Sequence, residues 1–499
     1  MKFLKNQMYQ VVSILAINGA FEGWGTSLCW WANRVGYSEQ LATQAAQLFY
    51  NKNTGLGLNI MRYNIGGGDD PTHNHITRTD SKVPGYAVNV TGTSDTDNLS
   101  WDYDWSADYN QRNILTKCIK ESGKEAIVEA FSNSPPYFMT NSGCSCGAVN
   151  ASKNNLHNNC YDDFAKYLAD VAYHFKKSFG ITFQSISPMN EPYTSYWMAN
   201  SNKQEGCHFD QGESQSNMIT ALRGALDKNG LNSLMVTGTD ETSIDTQIVS
   251  YQALSTKAKN MLGRIDVHTY SGSNRAGIKA LAQKENKNLW MSEVDGGLTA
   301  GENAGEMGAG LWLAQRIITD VNNMTPSAWV LWNIIDNHIS KDGYQGNQDS
   351  GDVDRSKGYW GIAVADHDNQ TIHLTMKYYA FGQFTRYIRP GYTIIPTGSN
   401  TLAAYDVKGK QLIIVAVNAS AFDVNYNFDL SLFHAVGASV KVIRTSGTMS
   451  SGEKWAQLKP LTANASGFQA TLKTNSVTTY IVSGVEYNNA AFSEITLVE

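Results

Sequence analysis

Eight short apolar runs, each followed by a longer stretch whose apolar residues recur at threes and fours, constrain this chain more than any other feature. The runs are FEGWGTSL (21–28), LGLNIMRYNIGGG (56–68), EAIVEAFSNS (125–134), FQSISPMNEP (183–192), LMVTGTDE (234–241), RIDVHTY (264–270), NLWMSEVDGG (288–297) and AWVLWNII (328–335). Stretches such as YSEQLATQAAQLFYN, YDDFAKYLADVAYHFKKSF and EMGAGLWLAQRIITDVNNM between them carry helical periodicity. Strands alternating with helices pair in parallel, and eight of them is the number that closes a barrel. We therefore expect an α/β fold whose residues 21–385 form a (β/α)8 TIM barrel.

Past YYAFGQFTRYIRPG (378–391) the texture changes. TLAAYDVKGKQLIIVAVNAS, ASVKVIRTS and TTYIVSGVEY alternate apolar and polar residues with turn residues between them, the pattern of an antiparallel β-sandwich over 386–499. Within residues 1–20, VVSILAI reads as a strand joining that sandwich. A lysine-bearing start and a short apolar run also suit a secretion signal, but Asn18 fits poorly three places before a cut at Ala20. The strand reading places the protein in the cytoplasm, with secretion as the alternative. Segments 68–108 and 335–370 read as long strand-to-helix loops on the rim that carries the strand tips, where they would shape a cleft.

Composition narrows the function. With 42% hydrophobic and 17% charged residues, the chain is globular, and 499 residues can bury one large core or two. A formal net charge of −6 without a basic patch argues against a nucleic-acid partner. No run of about 18 apolar residues offers a membrane span. Twelve Trp and 25 Tyr supply more flat faces and hydroxyls than a core needs, which points towards ring-shaped polar ligands such as sugars. Cys29, Cys118, Cys144, Cys146, Cys160 and Cys207 have no regular disulfide spacing. A zinc cluster of Cys144, Cys146, Cys160 and Cys207 with His157 and His208 lacks the tight paired spacing zinc sites use, so free loop thiols and no metal are expected.

Barrel enzymes keep their chemistry at the C-terminal tips of the strands. Pro192 ends a strand ladder just after Glu191, which puts Glu191 at the fourth tip, and Glu293 ends the seventh. Those strands lie nearly opposite each other. Two carboxylates so placed can divide glycoside hydrolysis, one protonating the leaving oxygen and the other attacking the anomeric carbon. A lone strand-tip Glu would more often be a structural partner of an Arg; the pair, with aromatics around it, favours catalysis. Asn190 would donate its amide to a sugar hydroxyl, Tyr270 would hydrogen-bond Glu293 and keep it ionised, and Arg62 would lower the pKa of that carboxylate. His268 is read as a substrate contact, with a structural hydrogen bond as the alternative. Trp30, Trp31, Trp197 and Trp332 are candidate sugar platforms, about half of which are expected to reach the cleft.

FEGWGTSLCWWA, MRYNIGGG, SNSPPYFMTNSG, SPMNEP followed by QEGCHF, LWMSEVDGG and FGQFTRYIRPG, in this order, resemble glycoside hydrolase family 30. WGTSLCWWA and NEP…QEGCHF are similar to its endo-β-1,6-galactanase branch. The resemblance implies the barrel with a side sandwich, a retaining double displacement, no metal or organic cofactor, and an oligo- or polysaccharide substrate. It makes Glu191 the acid/base and Glu293 the nucleophile, which predicts carboxyl groups about 5–5.5 Å apart. VDGG after Glu293 and the cysteine-bearing GCSCGAVN depart from the family pattern, and both border the expected cleft. Other family activities (β-1,6-glucanase, β-xylosidase or xylanase, glucosylceramidase-like β-glucosidase) are the enzymatic alternatives. A non-catalytic carbohydrate-binding protein would lack one carboxylate, and both are present.

Overall fold

The computed structural model describes residues 8–11, 20–72, 75–78, 80–95, 98–295, 305–341 and 361–487. VVSILAI beyond Val11, the two glycines of VDGG and the rim segment 342–360 lie outside the described residues. Eight parallel strands close into a barrel in chain order: β1 Gly23–Ser27, β2 Ile60–Asn64, β3 Ile127–Phe131, β4 Ser185–Ser187, β5 Met235–Ser243, β6 Leu262–Ser271, β7 Asn288–Val294 and β8 Ala328–Leu331. Closure pairs Ala328 with Gly23 and Leu331 with Thr26. Each apolar run marks one of these strands, with β5 and β6 extending beyond the runs 234–241 and 264–270, so the (β/α)8 expectation holds.

Several helices start where a short polar side chain takes up a free backbone N–H group. Ser38 accepts from Leu41 N–H at 3.2 Å to open the helix Glu39–Tyr50, and Ser243 and Asn274 cap Ile244–Ala253 and Arg275–Lys284 in the same way. Outward-facing Met61, Tyr63, Ile265 and Val267 join Phe49, Leu115, Phe164 and Ile317 of the helices in the main core. The inward face is different. Arg62, Glu129, Arg264 and Asp266 are buried inside the barrel, so the strands carry an internal charged layer where a plain apolar run would be the simpler filling.

The rim segments are more ordered than plain loops. Ala87–Thr91 pairs with Ser100–Tyr103 as a hairpin, and Ile335–Ile339, Ala363–Asp366 and Thr371–Leu374 form a three-stranded sheet. These strands are four or five residues long by their bounds, too short for periodicity to mark them.

C-terminal to the barrel, six strands order as Thr393–Ile395, Thr401–Asp406, Gln411–Asn418, Ser476–Ser483, Ser439–Ser446 and Glu453–Thr462. A second sheet contains Val424–Asp429 between Gly467–Leu472 and the N-terminal strand Met8–Val11, which runs parallel to its neighbour. Leu412, Ile414, Phe428, Phe468 and Tyr480 fill the space between the sheets. The helix Met376–Thr385 joins this unit to the barrel, its Tyr379 carbonyl accepting from Trp455 Nε1 at 2.8 Å. Among the described residues no helix is long and apolar enough to cross a membrane.

Candidate active site

Glu191 lies four residues past β4 with φ of +46°, a left-handed conformation that costs a non-glycine residue about 1–2 kcal/mol. Three hydrogen bonds hold it there. Its N–H donates to the Asp240 carbonyl at 2.8 Å, and its own carbonyl accepts from Thr194 Oγ1 at 2.9 Å and Trp197 Nε1 at 3.1 Å. Glu293 projects from β7. An oxygen of each carboxylate and a ring nitrogen of His268 lie within 4.8 Å of one another. That spacing falls on the retaining side of the two carboxyl geometries, well short of the roughly 6.5–9.5 Å of inverting enzymes.

His268 is wedged between the pair. Its Nδ1 is 3.0 Å from Glu191 Oε1 and 3.5 Å from Glu293 Oε1, and its Nε2 is 3.4 Å from Asp240 Oδ1. Arg62 sits beneath, donating to Glu293 Oε2 at 3.1 Å, Asp240 Oδ2 at 2.8 Å and Glu129 Oε1 at 2.9 Å. Tyr270 donates to Glu293 Oε1 at 3.2 Å, and Tyr196 donates to Glu191 Oε2.

This arrangement reverses one expectation. Burial pushes the Glu293 carboxyl up to about 7; the Glu191 and Asp240 carboxylates add to the rise, while His268 and Arg62 oppose it. Burial acts on Glu191 as well, but His268 and the hydroxyls of Tyr196 and Thr242 outweigh it and hold that carboxyl below its usual range. The division is physical: Arg62 spreads its charge over three carboxylates, whereas His268 lies closer to Glu191 than to Glu293. The raised carboxyl is therefore the β7 one.

Burial alone would depress His268, but Glu293, Asp240 and Glu191 raise it to about 10 from an ordinary 6.5. A raised folded-state pKa adds stability that is complete below about 6.5 and is lost as pH climbs through about 10. Melting temperatures of wild type and His268→Asn should therefore differ by several degrees near pH 6, and the gap should close towards pH 10. A gap independent of pH would show that His268 is not cationic in the folded protein.

A cavity of about 370 Å³ opens over the pair and is lined by Asn190, Glu191, Tyr270 and Glu293 with Trp30, Tyr196, Trp197, Thr242 and Trp332. Asn190 Oδ1 has no hydrogen-bond partner, which leaves it available to a ligand. Lys203 and Gln204 add polar groups to the wall. Arg62 and His268 do not line this space: both are 0% exposed and act through the carboxylates, Arg62 beside Glu293 as expected and His268 as a structural hydrogen-bonder, the alternative to a substrate contact. Trp31 is also excluded, buried with its Nε1 on the Ser27 carbonyl at 2.9 Å. Trp30 and Trp332 meet edge to face at 5.1 Å and Arg78 covers the Trp30 ring at 4.4 Å, so this corner offers edges more than open faces. Trp197 is clamped from behind by Gly206 and Gly147, where an added Cβ would meet its ring and its backbone at 2.2 Å.

The cysteines form no zinc cluster of the imagined kind. All six are buried free thiols, and Cys118 lies in the helix Tyr109–Ser122, not in a loop. Cys144 and Cys146 do approach Asp69, each offering a donor atom within 4.8 Å of the others, but His157, His208, Cys160 and Cys207 are not in that group. The loop bearing them braces the cavity wall: Ala148 N–H donates to the Trp197 carbonyl at 3.1 Å, and Cys146 Sγ donates to the Ser201 carbonyl at 3.1 Å.

Several contributing residues went unread in the sequence. Asp240 and Glu241 end the fifth run, so the rule that selected Glu191 and Glu293 applied to them equally. Their buried partners, Arg62 for Asp240 and Ser250 with Gln215 for Glu241, make them structural. Tyr196 carried no signal beyond lying five residues past Glu191.

A (β/α)8 barrel bearing two close carboxylates at the tips of β4 and β7, beneath a cavity rich in aromatic residues, is the plan of a glycoside hydrolase. The model for O-Glycosyl hydrolase family 30 matches residues 11–258. Over 488 residues the chain is 33% identical to an endo-beta-1,6-galactanase of Hypocrea rufa, covering 94% of this chain and 93% of that protein. The chain belongs to glycoside hydrolase family 30. It is also 26% identical to an exo-beta-1,6-galactobiohydrolase of Bifidobacterium longum subsp. longum, over 83% of this chain and 34% of that longer protein. Among solved structures, the catalytic domain of xylanase C from Talaromyces cellulolyticus superposes with a TM-score of 0.68 over 93% of this chain and 97% of that one; at 18% identity it supports the fold alone.

Proposed function

We propose that this enzyme hydrolyses β-1,6-linked galactose chains with retention of configuration, Glu191 serving as acid/base and Glu293 as nucleophile. The observation that carries the reaction type is the approach of the two carboxylates to within 4.8 Å across the cavity floor. The sugar rests on the two relatives whose names specify β-1,6-galactan chemistry, one of them 33% identical over nearly the whole chain.

In the first step Glu191 donates a proton to the glycosidic oxygen as Glu293 bonds to the anomeric carbon, giving a glycosyl ester and a freed leaving-group sugar. Glu191, now a carboxylate, takes a proton from water, whose oxygen displaces Glu293 from the opposite side. Glu293 must be anionic to attack. Arg62 and Tyr270, donating to its two oxygens, support that anion, and the positive charge gathering at the anomeric carbon lowers the pKa that burial had raised. Asn190, beside Glu191 on the cavity wall, is placed to hydrogen-bond the hydroxyl next to the reacting carbon.

Chromatographic product profiles on β-1,6-galacto-, β-1,6-gluco- and β-1,4-xylo-oligosaccharides test the substrate. Cleavage of the galacto series alone is expected, and its product lengths distinguish internal from terminal attack. Cleavage of another series alone would overturn the sugar assignment and leave the chemistry standing. Proton NMR of early products tests retention: the β-anomer should appear first, and an α-anomer would refute the double displacement.

A further inference from the structure

Glu191 has two oxygens, and a donor occupies each. His268 Nδ1 holds Oε1 at 3.0 Å from the closed interior, where the ring is 0% exposed and hemmed in by Glu293 and Asp240. Tyr196 O–H holds Oε2 from the cavity side, where Thr242 also lies against the carboxylate. A phenol donating to Oε2 favours the carboxylate over the protonated carboxyl, so with Tyr196 in place Glu191 is biased towards its base form. To act as an acid it needs Oε2 free and facing the glycosidic oxygen. Of His268 and Tyr196, the pair that holds the two oxygens, only Tyr196 can yield. Its side chain is 50% exposed, lies on an irregular segment past β4 and packs by its edge on Trp197 at 4.6 Å, and it lines the same cavity that the substrate enters.

We propose that Tyr196 is a positioning residue that sets the protonation of Glu191 through the catalytic cycle, holding Oε2 as a carboxylate while the leaving-group side of the cavity is empty and giving it up when a leaving-group sugar fills that side. The inference rests on the reading of Glu191 as acid/base. In the first step the entering sugar displaces the phenol, and Oε2, losing a donor that favoured its anion, takes up a proton from solvent water and passes it to the glycosidic oxygen. Once that sugar departs, Tyr196 returns and favours the carboxylate that must deprotonate water. The titratable and charged groups that Tyr196 shares this carboxylate with are His268 from β6, Glu293 from β7, Asp240 and Glu241 from β5, Tyr270 from β6, Arg62 from β2, and Lys203 on the cavity wall. The phenol is the one of these that is both half exposed and bonded to Oε2.

The full-length Tyr196→Phe variant tests this through pH profiles. One is kcat/KM on the preferred oligosaccharide, whose leaving sugar needs a proton from Glu191. The other is kcat on the 4-nitrophenyl glycoside of the same sugar, whose leaving group needs none and whose turnover reports Glu191 as base. Loss of one donor to an anion should move the basic limb of the first profile and the acidic limb of the second upward together, by about one pH unit. Optimum rates should fall less than tenfold. Unmoved limbs with a lowered rate would overturn the proposal and leave Tyr196 as wall. In parallel, Glu191→Ala with azide and the nitrophenyl glycoside should yield the β-glycosyl azide. Its formation supports the acid/base reading, so unmoved limbs would then count against Tyr196 alone; absence of azide product would overturn that reading and this proposal with it.

Discussion

Glu293→Gln should lower turnover on the preferred oligosaccharide by about 10⁴-fold or more, a loss of the size seen when a nucleophile is removed from a cooperating set. The amide matches the carboxyl in volume and keeps one oxygen for Arg62, at 3.1 Å from Oε2, while its NH2 takes the place of Oε1 and can donate to the Tyr270 hydroxyl, which turns to accept. What it lacks is the negative charge that forms the glycosyl ester. Stability should not fall with activity. Burial already pushes the Glu293 carboxyl up to about 7, so above that pH the native protein holds an anion against its desolvation, and the neutral amide removes this burden. A melting temperature equal to or above that of wild type at pH 8, together with lost turnover, is the expected pair of results. A 2-deoxy-2-fluoro glycoside with a good leaving group should label the wild-type peptide containing Glu293 and leave the variant unlabelled in mass spectra. Turnover near wild type in the variant would refute the nucleophile assignment.

The parts of this protein that follow simple periodicities were legible in its sequence. Each of the eight barrel strands overlaps one apolar run, six of them lying wholly inside it, because outward residues such as Met61 and Val267 must face helices and so keep the runs apolar. Glu191 and Glu293 were found because strand ends mark the rim, and Tyr270 because it shares β6 with the turn that faces β7. The failures have one physical origin. His268 was read first as a substrate contact, but what decides its role is the depth of a side chain below the rim. Depth depends on strand stagger around the closed barrel, which a single strand's pattern does not encode. The bulges in β7 between Met291 and Glu293 and in β5 around Glu241 shift that stagger just where the acids sit. The same blindness hid the order of the two carboxyl pKa values, because that order depends on how two buried cations, Arg62 and His268, are shared.

Arg62→Met should destabilise the fold by about 3–5 kcal/mol, the range for breaking a buried ion pair and leaving its partner uncompensated. The guanidinium is 0% exposed and forks to three carboxylates from three strands, Glu129 at 2.9 Å, Asp240 at 2.8 Å and Glu293 at 3.1 Å, while its face lies 4.3 Å from the Phe131 ring centre. Methionine matches the stem and fills the space beside Phe131, so cavity formation is not the main term. The main term is charge. Glu129 would retain Arg264, which also binds Asp266 at 2.6 Å, but Asp240 would keep only Ser292 at 2.5 Å and His268, and Glu293 would keep His268 and Tyr270. These carboxyls can escape the penalty by taking up protons, so the destabilisation should shrink as pH falls from 8 to 5. Urea midpoints for wild type and variant across that range measure the effect. Arg62→Lys, which returns one charge without the planar fork, should recover part of the stability and little activity, since one ammonium cannot meet three carboxylates at these angles. A loss that stays constant across pH would mean that Arg62 serves the barrel through packing against Phe131 and not through its charge.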